Sequence, residues 1–118
     1  MATKSTIKLN STNQKNKKEM LSFCPVTFTL ERIGGRWKPL ILFHLKDGAL
    51  RYSELRKAIP SISEKMLIQQ LRELETDELV NRKVHPVVPP HVDYSLSAIG
   101  KELSPVLKAM AAWGLKHQ

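Results

Sequence analysis

The chain has 118 residues, 42% of them hydrophobic and only seven aromatic, a composition for one ordinary globular domain with a single compact core. No stretch approaches the roughly 20 apolar residues of a membrane span, the N-terminus lacks the apolar segment of a secretory signal, and a lone cysteine, Cys24, excludes an intrachain disulfide and fits a reducing, cytoplasmic setting. The formal net charge of +8 at pH 7 favours a polyanionic partner, nucleic acid ahead of an anionic membrane surface.

The charge is uneven. Residues 1–24 carry five Lys against one Glu, and residues 25–118 carry fourteen basic against ten acidic side chains, so half the excess is N-terminal. Residues 1–22 are rich in Lys, Asn, Ser and Thr without an apolar period and are expected to be a flexible basic tail, with residues 23–118 as the folded domain. Pro25 suits the first position of a helix, and Val26, Leu30 and Ile33 follow at helical spacing until Gly34-Gly35. A second helix is expected from Trp37-Lys38-Pro39 to Asp47-Gly48. Its stripe is Trp37, Leu40, Ile41, His44 and Leu45, with Leu42 and Phe43 beside it, so it reads as buried on more than one side, as inside a dimer. On that stripe His44 reads as a hydrogen-bonded core residue.

Leu50-Arg51-Tyr52 reads as a short extended link. Ser53 then caps a third helix, Glu54 to Ile59, with Leu55, Ala58 and Ile59 inward and Pro60 at its end. A fourth helix runs from about Glu64 to Asp77. Ser63 is its N-cap, with Ser61 and Glu64 as a competing capping box. The period then changes to two. Val80, Arg82 and Val84 alternate with Asn81, Lys83 and His85, and Val92, Tyr94 and Leu96 alternate with His91, Asp93 and Ser95, which predicts two strands around the stiff loop Pro86-Val87-Val88-Pro89-Pro90. Ser97 caps the last helix. Pro105 either kinks that helix or restarts it with Ser104 as cap, and Leu103, Val106, Leu107, Met110 and Trp113 supply its apolar side.

Helix, helix, helix, tight turn, helix, hairpin, helix is the order of a winged helix-turn-helix, mainly α with a small β-wing; its terminal helices carry more apolar positions than one small domain covers, so they are expected to dimerise. On the fourth helix Leu67, Leu71 and Leu74 share a face, while Lys65, Gln69 and Arg72 fall about 140° to 200° away at about 100° per residue. A major-groove helix needs that chemistry: Gln pairs with adenine, Arg or Lys with guanine or phosphate, and Ile68 can meet a thymine methyl. Ser63 joins this set from the helix start. The acidic run Glu73, Glu75, Asp77 and Glu78 restricts DNA contact to the first two-thirds of the helix. In the wing, residues 82–91 hold Arg82, Lys83, His85 and His91 and no acid, which suits phosphate or minor-groove contact. An ordinary solvated helix face and a plain surface hairpin are the competing explanations.

No Gly-rich phosphate loop, carboxylate pair or Ser/His/Asp set is recognisable, so no enzyme and no cofactor are expected. His85 and His91 can face each other across the wing, but a metal site needs a further ligand, and none is expected. Trp37 and Trp113 read as packing or dimer residues. With Val26, Leu30, Leu107 and Met110 they make up the expected homodimer interface.

The segments Cys24-Pro25-Val26, Ile33-Gly34-Gly35-Arg36-Trp37, Arg51-Tyr52-Ser53-Glu54-Leu55, Ile62-Ser63-Glu64-Lys65-Met66-Leu67, Gln70-Leu71-Arg72-Glu73-Leu74-Glu75 and Pro89-Pro90-His91-Val92-Asp93-Tyr94-Ser95-Leu96-Ser97, with Gly100 and Trp113, together resemble the HxlR-type regulators, winged-helix repressors related to the MarR group. The resemblance spans about Cys24 to His117. It implies a homodimer with one recognition helix and one wing per subunit on operator DNA, in the cytoplasm and at the nucleoid when bound. Ile68 stands where that family usually has Thr, Glu78 where it usually has Gly, and Asp93 and Ser97 where it has Glu and Thr. The alternative function is a protein-interaction module that kept the fold without binding DNA.

Cys24 precedes Pro25, which places it at or near a helix N-cap, where free N–H groups favour an anion and raise the thiolate fraction. Lys17, Lys18 and Arg36 can add positive potential. The resemblance implies that a cysteine at this place responds to oxidants or electrophiles. A small buried or capping residue is the other reading.

Overall fold

The computed structural model describes residues 24–118. The expected tail, with Lys17 and Lys18, lies outside the described residues. The chain divides into two compact units after Arg32, whereas composition places the boundary at residue 22.

The described part of the first unit is most of α1 (Pro25–Ile33). Its first helical bond runs from the Phe28 N–H to the Cys24 carbonyl, 2.8 Å, and the Thr29 hydroxyl donates back to the Pro25 carbonyl. Val26, Phe28 and Leu30 are exposed, and Arg32 lies over the Phe28 ring at 3.8 Å.

The second unit holds α2 (Lys38–His44), β1 (Leu50–Arg51), α3 (Tyr52–Ala58), α4 (Glu64–Thr76), β2 (Val80–His85), β3 (His91–Leu96), α5 (Ala98–Lys101) and α6 (Ser104–His117). Pro39 sits in the first turn of α2, and the helix closes through Leu45 into a turn at Gly48. Ile41, Leu42 and Leu45 are all buried, so the second buried side of α2 is covered by this chain's own core. His44 is only half-buried, in place of the core histidine expected.

Two local expectations are corrected. Leu50 and Arg51 are not a mere link: they pair antiparallel with Tyr94 and Asp93, which makes a three-stranded sheet of order β1-β3-β2. The cap of α3 is Arg51, not Ser53. Arg51 is extended (φ −73°, ψ 157°), and its N–H donates to the Glu54 carboxylate at 2.7 Å. The helix thus starts earlier, and Ala58 is exposed while Leu55 and Ile59 are buried.

At α4 the Ser63 hydroxyl accepts the Met66 N–H at 3.1 Å, so Ser63 is the cap and the Ser61 alternative falls away. Leu67, Leu71 and Leu74 are buried with Ile33, Ile62, Leu79, Tyr94 and Leu96 in one cluster. Glu78 adopts φ 61° just after the helix, a left-handed conformation that a side chain disfavours. Its carbonyl accepts the Ser97 hydroxyl at 2.7 Å, and Ser97 Oγ in turn accepts the Gly100 N–H. A Cβ on Gly100 would run into the Leu79 carbonyl, so only glycine allows this close approach. Pro105 restarts the helix: α5 ends at Lys101 and α6 begins at Ser104 with Leu103 as N-cap.

Candidate nucleic-acid interface

The core stripe of α4 fixes its outward face. With Leu67, Leu71 and Leu74 inward, Lys65, Ile68, Gln69 and Arg72 are all exposed, and Ser63 is exposed at the helix start. Gln69 already has a partner: its amide donates to Glu73 Oε2 at 3.2 Å, and Glu73 Oε1 meets Lys38 Nζ at 2.6 Å. Lys38, hydrogen-bonded to Glu73, holds that carboxyl below the usual glutamate range, and Gln69 adds to the effect. Any new partner for the Gln69 amide would therefore replace a surface hydrogen bond, a modest cost in water.

The hairpin stands beside this helix. β2 and β3 pair from Val80–Leu96 to His85–His91 without a slip. A cleft of about 700 Å³ between α4 and the sheet is lined by Arg51, Ile68, Arg72, Arg82, His91 and Tyr94, with Glu64 and Glu75 also on its walls. Three arginines thus share this groove with the apolar Ile68. Arg51 was not among the expected DNA contacts: its place at this cleft follows from β1 joining the sheet.

Strand alternation divides the expected wing set. Arg82 points to the cleft side with Tyr94, while Lys83 and His85 emerge from the opposite face of β2. His85 is tied up within the hairpin. Its ring stacks on His91 with centroids 4.5 Å apart, and its Nε2 lies 2.8 Å from Asp93 Oδ2. Asp93 supplies a third donor beside the two imidazoles, the further ligand that a metal site here needs.

The six expected dimer residues also divide. Val26, Leu30, Met110 and Trp113 are exposed. Leu107 is corrected: it is 3% exposed, buried in the chain's own core. It lies about 100° around α6 from Val106, whereas Val106, Met110 and Trp113 follow at i, i+4 and i+7 on the outer side. Trp37 packs partly buried against the core, with Arg36 over its ring at 4.8 Å.

Cys24 is exposed and immediately precedes α1. The backbone N–H groups of Thr27 and Val26, and then the Thr27 hydroxyl, hydrogen-bond its sulfur and hold the thiol below its ordinary value.

A family model described as HxlR-like helix-turn-helix matches residues 32–118. The uncharacterized HTH-type transcriptional regulator YdeP of Bacillus subtilis (strain 168) is 50% identical over 95 residues, which cover 80% of this chain and 74% of that protein. Among solved structures, the redox regulator HypR in its oxidized form superposes with a TM-score of 0.78 at 47% identity, covering 80% of this chain and 98% of HypR. The reduced form of the transcriptional regulator YodB from B. subtilis gives a TM-score of 0.69 at 40% identity, covering 80% of this chain and 93% of YodB.

Proposed function

The chain belongs to the HxlR-like helix-turn-helix family of DNA-binding transcriptional regulators, and from that premise we propose that α4 reads base edges in the major groove while the wing grips the flanking backbone. The observation that carries this reading is the outward face of α4, where Lys65, Ile68, Gln69 and Arg72 are exposed beside a cleft that adds Arg51 and Arg82. Lys83, on the far face of the hairpin, is a phosphate contact in this arrangement. The protein acts as a repressor on operator DNA in the cytoplasm, as a two-fold dimer. Val26 and Leu30 of α1 and Val106, Met110 and Trp113 of α6 support the dimer, because exposed apolar rows of that kind mark contact surfaces. No helix among the described residues is long and apolar enough to cross a membrane.

A titration of duplex DNA against salt tests the reading. A DNA reader loses affinity steeply as salt rises and prefers some sequences, whereas a protein-interaction module does neither. Light scattering at micromolar concentration should return about twice the 13.4 kDa chain mass, and a clean monomer would remove the dimer.

Cys24 is the proposed inlet for an effector signal of the oxidant or electrophile class. Its support is the exposed thiol held toward the thiolate, together with the similarity to HypR, a redox regulator. With one cysteine per chain, the product is a disulfide between subunits, a mixed disulfide with a small thiol, or a direct adduct. Diamide or a quinone should change the DNA affinity of the unaltered protein and leave Cys24→Ser unaffected. Equal affinities before and after treatment would make Cys24 structural.

A further inference from the structure

His85 closes β2 and His91 opens β3, and the register sets them directly opposite each other across the hairpin. Asp93 follows His91 by two residues, so its side chain emerges on the same face of the sheet. Its Oδ2 lies 2.8 Å from His85 Nε2 and its Oδ1 lies 3.9 Å from His91 Nε2. All three side chains are about three-quarters buried, and one ligand atom from each falls within 4.8 Å of the others. We propose that this end of the wing is a binding site for a divalent transition-metal ion of the zinc class, with His85, His91 and Asp93 as ligands and water completing the shell.

The donor set selects the ion. Two imidazoles and one carboxylate suit zinc and its first-row neighbours, whereas magnesium and calcium want oxygen donors alone. The distances fit as well. Zinc bonds of about 2.0–2.2 Å place tetrahedral donors roughly 3.3–3.6 Å apart; the two imidazole–carboxylate separations, 2.8 Å to Oδ2 and 3.9 Å to Oδ1, lie on either side of that spacing, and one ligand atom from each residue falls within 4.8 Å of the others. Small side-chain rotations therefore bring the three donors onto one ion while the strand pairing stays as it is. The backbone is already fixed by the paired register and by three prolines in the intervening loop, Pro86, Pro89 and Pro90, so little chain entropy opposes closure. A hydrogen bond between His85 and Asp93 alone gives no role to the stacked His91, whose nitrogen also turns toward the carboxylate.

Opposing charge limits the affinity. Lys83 of β2 and Arg51 of β1 stand opposite Asp93 in the strand register without an ion pair to it, and positive charge at those neighbouring positions opposes a dication. The expected affinity is accordingly in the micromolar range, below that of a closed structural site with four ligands. The site needs no DNA and is independent of the reading of α4.

The test uses the full chain with Cys24→Ser, which removes the only thiol, titrated with zinc against a chromophoric competitor. One ion should bind per chain, and His85→Gln, His91→Gln and Asp93→Asn should each weaken binding by about tenfold or more. Substituting His44 or His117 by Gln should change nothing. Amide spectra of the Cys24→Ser chain with all four histidines intact should shift on zinc addition at residues 83–93, which keeps the test valid if a variant misfolds. No saturable binding below millimolar zinc, or binding that ignores His85 and His91, would overturn the site.

Discussion

Helices α4 and α6 are nearly the same length, 13 and 14 residues, and each buries leucine against the common core. Their outer faces differ completely. α4 turns Lys65, Gln69 and Arg72 to solvent, whereas α6 turns out Val106, Met110 and Trp113, the last 68% exposed. The inner pattern makes a helix pack, but the outer pattern decides what it meets: a polar face with bidentate donors suits a groove of DNA, and an apolar row suits a second copy of the chain.

The comparison breaks most visibly on its shared side. Leu74→Ala in α4 and Leu107→Ala in α6 should each cost about 2–5 kcal/mol in urea unfolding, since both side chains are buried. If Leu107→Ala leaves stability intact and only dissociates the dimer, Leu107 belongs to the interface after all. The outer faces should then separate cleanly. Trp113→Ala should weaken the dimer by about 2 kcal/mol or more in sedimentation, and Lys65→Ala should leave the mass unchanged while lowering DNA affinity.

Smaller effects sharpen the end of α4. Glu78→Gly should stabilise the fold by about 1 kcal/mol, because Glu78 holds a positive φ that glycine takes without strain. A loss of stability would mean that the Glu78 side chain makes an interaction worth more than that strain. The smallest effect concerns acid. Glu73 titrates lower in the fold than in the unfolded chain, so its pairing with Lys38 stabilises above the ordinary glutamate value of about 4.3 and is lost as pH falls through the depressed folded value. A Lys38→Met variant should therefore show a flatter decline of Tm across that acid range, and an identical decline would remove the pair from the balance.

Strong periodicity made α4 and the hairpin legible in the sequence. Three leucines and a serine cap fixed one, and strict alternation fixed the other. β1 was illegible because two residues carry no period and their partners lie in β3, far along the chain. Arg51 consequently went unnoticed both as the cap of α3 and as part of the cleft. The apolar side of α6 was visible as a group, but its division into Leu107 inward and Met110 with Trp113 outward depends on where the core lies. Asp93 shares its strand parity with His91, so the signal for a third donor was present. What the sequence lacked was the register that sets His85 opposite His91.

The most direct test of α4 as the reading element is selection of bound sites from random duplex DNA, with the unaltered chain and with Gln69→Ala, followed by affinity measurements at matched salt. The unaltered chain should enrich a two-fold site, and Gln69→Ala should bind that site about 1–3 kcal/mol more weakly with preference relaxed at one base position. Recovery of the same site at undiminished affinity by Gln69→Ala would show that this face of α4 does not read the DNA.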